Sequence, residues 1–146
     1  MNVFDTLASA ARQWPDRAAI IDAAGSLDYR SLWREIESMR AELARLEVRE
    51  GQGVGVRARN GRAFVIGALA ALGCGATVMP IHHQMKPDEL ADMLARAPLG
   101  FILDDGSSPG QAVDEDSHPA AAPVQAGAAE AHRTLEWTRH LPPGRP

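Results

Sequence analysis

Two adjacent histidines, His82 and His83, follow directly on the apolar run Ala76–Ile81. Imidazoles in such a loop can bind an anionic group or a metal, or move protons near neutral pH. They can equally be two polar loop residues, one of them bonded to a backbone carbonyl. Neighbouring histidines seldom turn both rings to one ion, so no metal site is assigned. Arg57, Arg59 and Arg62 flank Asn60, a grouping that suits a phosphate near a helix N-terminus or else a solvated loop. His82, His83 and Asn60 are the candidates for contacts to a substrate.

Other motifs carry less. Gly106-Ser107-Ser108-Pro109-Gly110 resembles a phosphate loop but lacks the terminal Lys-Ser/Thr that supplies charge and a metal contact. Gly51, Gly53 and Gly55 enter a strand, whereas a dinucleotide loop must follow one. Cys74 stands between two glycines with no basic neighbour and reads as a small packed residue. The acidic cluster Asp114–Asp116 reads as a solvated loop. Lys86 is the single lysine, and no serine–histidine–acid set is legible. No residue is assigned a catalytic role.

The elements that must hold these residues are legible from periodicity. Phe4, Leu7, Ala8 and Ala11 share one face of a short helix ending before Pro15. Ala18–Asp22 and Ser26–Tyr29 read as strands around the turn Ala23-Ala24-Gly25. Leu32, Ile36, Met39, Leu43 and Leu46 form a stripe on a helix expected from Ser31 to Leu46. Val54–Arg57 gives a strand, and Asn60 is placed to cap the helix over Ala63–Leu72, which is apolar nearly all round. Ala76–Ile81 reads as a strand buried within a parallel sheet. A helix opens at Lys86-Pro87-Asp88-Glu89, with Leu90, Met93 and Leu94 inward, and Leu99–Leu103 is a last buried strand. Strands alternating with helices imply an α/β fold, a parallel sheet with helices on both faces.

The chain has 146 residues, enough for one domain that buries roughly two-thirds of its unfolded surface. Its net charge of −4 argues against nucleic acid and anionic membrane as partners. No apolar stretch reaches membrane-spanning length, and the chain is expected to be soluble and cytoplasmic. Composition changes near Gly106: the last 41 residues hold eight alanines, six prolines and four glycines. The division expected is a body over 1–105 and a poorly structured linker or tail over 106–146, with one short helix around Ala128–Arg139.

Five stretches, in order, resemble the opening portion of the adenylate-forming superfamily of acyl-CoA synthetases, fatty-acyl-AMP ligases and peptide-synthetase adenylation domains. Phe4–Ile20 is similar to the family's first helix and its "pro-asp-arg, ala-ile" element. Leu27–Leu32 (LDYRSL) is similar to leu-thr-tyr-x-glu-leu, with Asp28 and Ser31 in place of Thr and Glu. Gly53–Val65 is similar to the strand, asparagine and helix after "gly-asp-x-val". Leu72–Ile81 (LGCGATVMPI) and Pro87–Leu94 (PDELADML) are similar to leu-lys-ala-gly-ala-x-x-val-pro-leu and the helix beyond it.

The resemblance implies a parent reaction in which ATP and magnesium activate a carboxylate, which then passes from AMP to a thiol of CoA or a carrier protein. The phosphate loop and catalytic lysine of that family are not found here, so the chain alone is expected to be inactive and to hold no cofactor. Its expected partner is the remainder of a ligase or a second copy in a homodimer. The helix Ala63–Leu72 is the expected source of an open apolar face. Two alternatives stand: a scaffold protein derived from such a ligase, and a flavodoxin-like binding module using His82 and His83.

Overall fold

The structure, a computed structural model, describes residues 2–106 and 136–139. It opens with α1 (Val3–Gln13), capped by the Asn2 side chain, which accepts the Asp5 N–H at 2.9 Å. A hairpin follows, β1 (Ala18–Asp22) and β2 (Gly25–Asp28), paired antiparallel as a separate two-stranded sheet. Then come α2 (Tyr29–Arg45), β3 (Gly53–Arg57), α3 (Arg62–Gly73), β4 (Thr77–Ile81), α4 (Pro87–Arg96) and β5 (Leu99–Asp104). The last described strand is β6 (Glu136–Arg139).

Helix α2 begins earlier than its sequence pattern suggests because Asp28 caps it, accepting the Ser31 N–H at 2.7 Å. Its stripe packs as expected: Leu32, Ile36, Met39 and Leu43 are all buried. Leu46 departs from the stripe, lying past the helix end and exposed.

Strands β4, β3, β5 and β6 form one sheet in that order. β3 is parallel to both neighbours, β4 and β5, and β6 pairs antiparallel with β5. The chain therefore crosses from β3 to β4 on one side and returns to the other side of β3 for β5. Val54 and Val56 of β3, with Phe101 and Leu103 of β5, join the core formed with α1, α2 and α3. Ile81, Leu99 and Ile102 make a second core on the opposite face, with Leu90, Met93 and Leu94 of α4. The β3–β5 register jumps between Leu99 and Phe101, leaving Gly100 as an extra residue. That bulge lets Leu99 and Phe101 serve opposite faces despite being two apart.

Several expectations are corrected. β4 is an outer strand among the described residues, with Thr77 and Pro80 exposed, rather than one buried within the sheet. Pro80 has no N–H to donate, which suits a sheet edge. Within the expected helix Ala128–Arg139, Glu136–Arg139 is a strand. Its Trp and Thr favour extended backbone, and the β5 edge supplies hydrogen-bond partners. Residues 107–135 and 140–146 of the expected tail, with the Gly106–Gly110 turn beyond its first residue and the Asp114–Asp116 cluster, lie outside the described residues. Helix α3 is not the open apolar face expected. α1 and α2 both pack against it, Ile66, Ala70 and Ala71 are buried, and of its large apolar residues only Leu72 is exposed. Among the described residues the most exposed large apolar side chain is Ile21, on the hairpin, at 81%.

Candidate functional site

Asn60, His82 and His83 come together. With Ala58, Phe64, Pro80 and Ile81 they line one cleft of about 350 Å³ beyond the carboxyl ends of β3 and β4. Two loops build it. One is the β3–α3 connection carrying Ala58 and Asn60, and the other follows β4 and carries the histidines. Helix α3 contributes Phe64 from its first turn. Strand order reverses around β3, and crevices at such reversals are where open α/β sheets bind ligands.

One wall is fixed by contacts from a distance and the other by contacts within its own turn. The Arg59 N–H donates to Asp105 Oδ2 at 2.8 Å, and the Asp105 N–H donates to the Arg57 carbonyl at 3.1 Å. These bonds tie the β3–α3 loop to the end of β5. The His82 and His83 rings stack with centroids 5.0 Å apart and planes 28° apart. Beneath them the Met85 N–H donates to the His82 carbonyl at 3.0 Å, closing a turn. The Gln84 N–H donates to His82 Nδ1 at 3.2 Å, which places the ring proton of neutral His82 on Nε2.

Asn60 does not cap α3. The cap position is Gly61, at φ 153°, a backbone setting that a side chain would strain, and it offers no side-chain acceptor. The acceptor comes instead from the hairpin: the first N–H of α3, on Arg62, donates to Asp22 Oδ2 at 3.0 Å. Asn60 is thereby left to face the cleft.

The arginine cluster divides into structural roles that sequence spacing does not reveal. The Arg62 guanidinium grips Asp22 and donates to the Gly25 carbonyl at 2.9 Å, and the pair is mostly buried. Hydrogen bonds from Arg62 hold the Asp22 carboxyl far below the usual carboxylate range, and the same contact raises Arg62. Arg57 is buried and reaches Asp104 and the Met85 carbonyl. Neither arginine is left to meet a phosphate. Cys74 lies at the C-terminal end of α3, away from the cleft, with Sγ 3.6 Å from the Arg40 carbonyl. Burial raises its thiol above the ordinary value, so it is not an activated nucleophile.

The cleft thus offers two imidazoles and a carboxamide above an apolar floor of Phe64, Pro80 and Ile81. Such a lining suits a small, partly planar ligand bearing hydrogen-bonding or acidic groups. No nucleophile with an adjacent base occurs among its residues, and no three His, Cys, Asp or Glu residues are grouped to hold a metal ion among the described residues.

The chain belongs to the AMP-binding enzyme family, whose model matches residues 7–142. It is 34% identical over 77 residues to 2-succinylbenzoate–CoA ligase of Salmonella typhimurium, a match covering 53% of this chain and 17% of that ligase. It is 32% identical over 98 residues to the AMB antimetabolite synthetase AmbB of Pseudomonas aeruginosa, covering 67% of this chain and 8% of that synthetase. Among solved structures, the Klebsiella oxytoca NpsA N-terminal subdomain in complex with anthranilyl-AMSN superposes with a TM-score of 0.68 at 24% identity. That superposition covers 74% of this chain and 29% of the NpsA chain and establishes the shared fold. The chain therefore spans a small part of the proteins it matches.

Among the described residues no helix is long and apolar enough to cross a membrane.

Proposed function

We propose that the chain is the N-terminal part of an ATP-dependent acyl-activating ligase, joining a carboxylic acid to the thiol of CoA or a carrier protein. The observation that carries this reading is the family match over residues 7–142, which runs through the parallel sheet and both helix layers. Its partner is the remainder of such a ligase, and Asn60, His82 and His83 contact the substrate in the cleft.

Arg57 and Arg62 are committed to Asp104 and Asp22, which leaves Arg59 as the exposed arginine of the cluster near the strand ends. A transferring phosphate needs fixed charge placed against it. In this reading that charge comes from other parts of the ligase, and the chain alone does not catalyse adenylation.

The test is acid-dependent pyrophosphate exchange. The chain expressed with the polypeptide encoded downstream of it is expected to incorporate labelled pyrophosphate into ATP, and the chain alone is expected not to. In the active form, Asn60→Ala and His83→Ala are expected to raise KM for the acid about tenfold, the scale of one lost hydrogen bond. Saturable micromolar binding of Mg-ATP to the isolated chain, measured by calorimetry, would overturn the assignment. The cleft favours one second reading, a binding module that works without ATP. Saturable binding of a small aromatic acid to the isolated chain, with no exchange activity in any form, would select it.

A further inference from the structure

We infer that Arg57 is a positioning residue for the cleft: its guanidinium fastens the loop carrying His82 and His83 to the end of β5. Arg57 is the last residue of β3. Val54 and Val56 point into the α3-side core, so alternation turns Arg57 to the other face, beside the turn that follows β4. There its Nη2 donates to the Met85 carbonyl at 2.9 Å and its Nη1 lies 3.6 Å from Asp104 Oδ2. The side chain is 8% exposed, and its buried Nε has no hydrogen-bond partner.

This is an expensive way to fill the end of a strand. A buried guanidinium loses its hydration, its ion pair is long, and one donor is unsatisfied. An apolar residue of similar length would pack there at no such cost. What an apolar residue cannot do is bind a carbonyl 28 positions away. Met85 is also the residue whose N–H closes the turn onto the His82 carbonyl, and Gln84 between them donates to His82 Nδ1. One guanidinium bond thus anchors the whole turn, and with it the orientation of the stacked rings over the cleft. A planar fork can hold a carbonyl and a carboxylate at once, whereas a lysine ammonium has no such fixed geometry.

The test is NMR on the full 146-residue chain, using Arg57→Leu and Arg57→Lys. In both variants the ring-to-ring nuclear Overhauser contact between His82 and His83 is expected to vanish. The Gln84 and Met85 amides should exchange at least about tenfold faster, while amides of the central strand at Val54 and Val56 keep their protection. The melting temperature of Arg57→Leu should equal or exceed that of the parent. An unchanged histidine contact and unchanged loop exchange in a folded variant would overturn the inference. If Arg57→Leu does not fold, Arg57→Lys decides by the same two readouts. Global unfolding of both would also overturn it, because Arg57 would then hold up the fold rather than the loop. These readouts concern the loop alone, so they stand or fail separately from the ligase reading.

Discussion

Asp22 and Arg62 are locked together at three points. Asp22 Oδ2 accepts the Arg62 backbone N–H and its Nε, both at 3.0 Å, and Oδ1 accepts Nη2 at 2.8 Å. One carboxylate therefore caps α3 and clamps its first side chain, and the hairpin becomes fixed against the helix that supplies Phe64 to the cleft.

Replacing Asp22 with Asn should lower unfolding free energy at pH 7 by about 1–3 kcal/mol, the cost of leaving a mostly buried charged donor poorly satisfied. The dependence on pH has a definite sign. The folded carboxyl titrates below its unfolded value, so the pair stabilises the fold above about pH 4. That contribution is lost as pH falls through the folded value. Urea melts of parent and variant should differ fully at pH 7, and the gap should narrow as pH falls below about 4 towards the folded value. A gap unchanged with pH would show that the pair acts by packing alone.

Gly53 and Gly100 lie close together across the β3–β5 pair but should respond oppositely to alanine. A Cβ on Gly53 would come within 2.6 Å of the Pro98 carbonyl oxygen, a backbone atom that cannot swing aside. A Cβ on Gly100 would meet nothing closer than 3.8 Å. Gly53→Ala should cost about 1–3 kcal/mol of stability, and Gly100→Ala should stay within about 0.5 kcal/mol of the parent. Thermal melts of the two variants compared side by side would check this, and equal losses would sink it.

A chain ending at Asp105 lacks β6 and opens the backbone edge of β5 over Phe101–Asp104. Unpaired strand edges recruit other strands. The shortened chain should melt at a lower temperature than the full chain and show a larger apparent mass by light scattering as concentration rises. A shortened chain that melts like the parent and stays monomeric would show that β6 adds nothing to the sheet.

Sequence by itself determined the type of the local elements from α1 to β5. The stripe Leu32, Ile36, Met39 and Leu43 is a helix because its spacing repeats the helical period, and all four are buried. Pro87 with two acids after it marks the start of α4, and its Glu89 accepts the Lys86 N–H at 3.1 Å. The alternation of strands and helices already implied the parallel sheet, and the order of five stretches already pointed to the family. Tertiary structure decided everything that depends on distant partners. Asn60 reads locally as a helix cap, but the acceptor is Asp22, supplied by a hairpin 40 positions from Arg62. Arg57 and Arg62 read, with Arg59, as a basic cluster for a phosphate or a solvated loop, yet both are drawn into contacts with carboxylates from other strands. β4 reads from its apolar run as a strand buried within the sheet, and only sheet order places it outermost among the described residues. Periodicity and capping act over a few residues and leave their mark in a short window of sequence. A carboxylate's choice of arginine, or a strand's choice of neighbour, is fixed only when packing brings the two segments to hydrogen-bonding distance, and no local pattern encodes that distance.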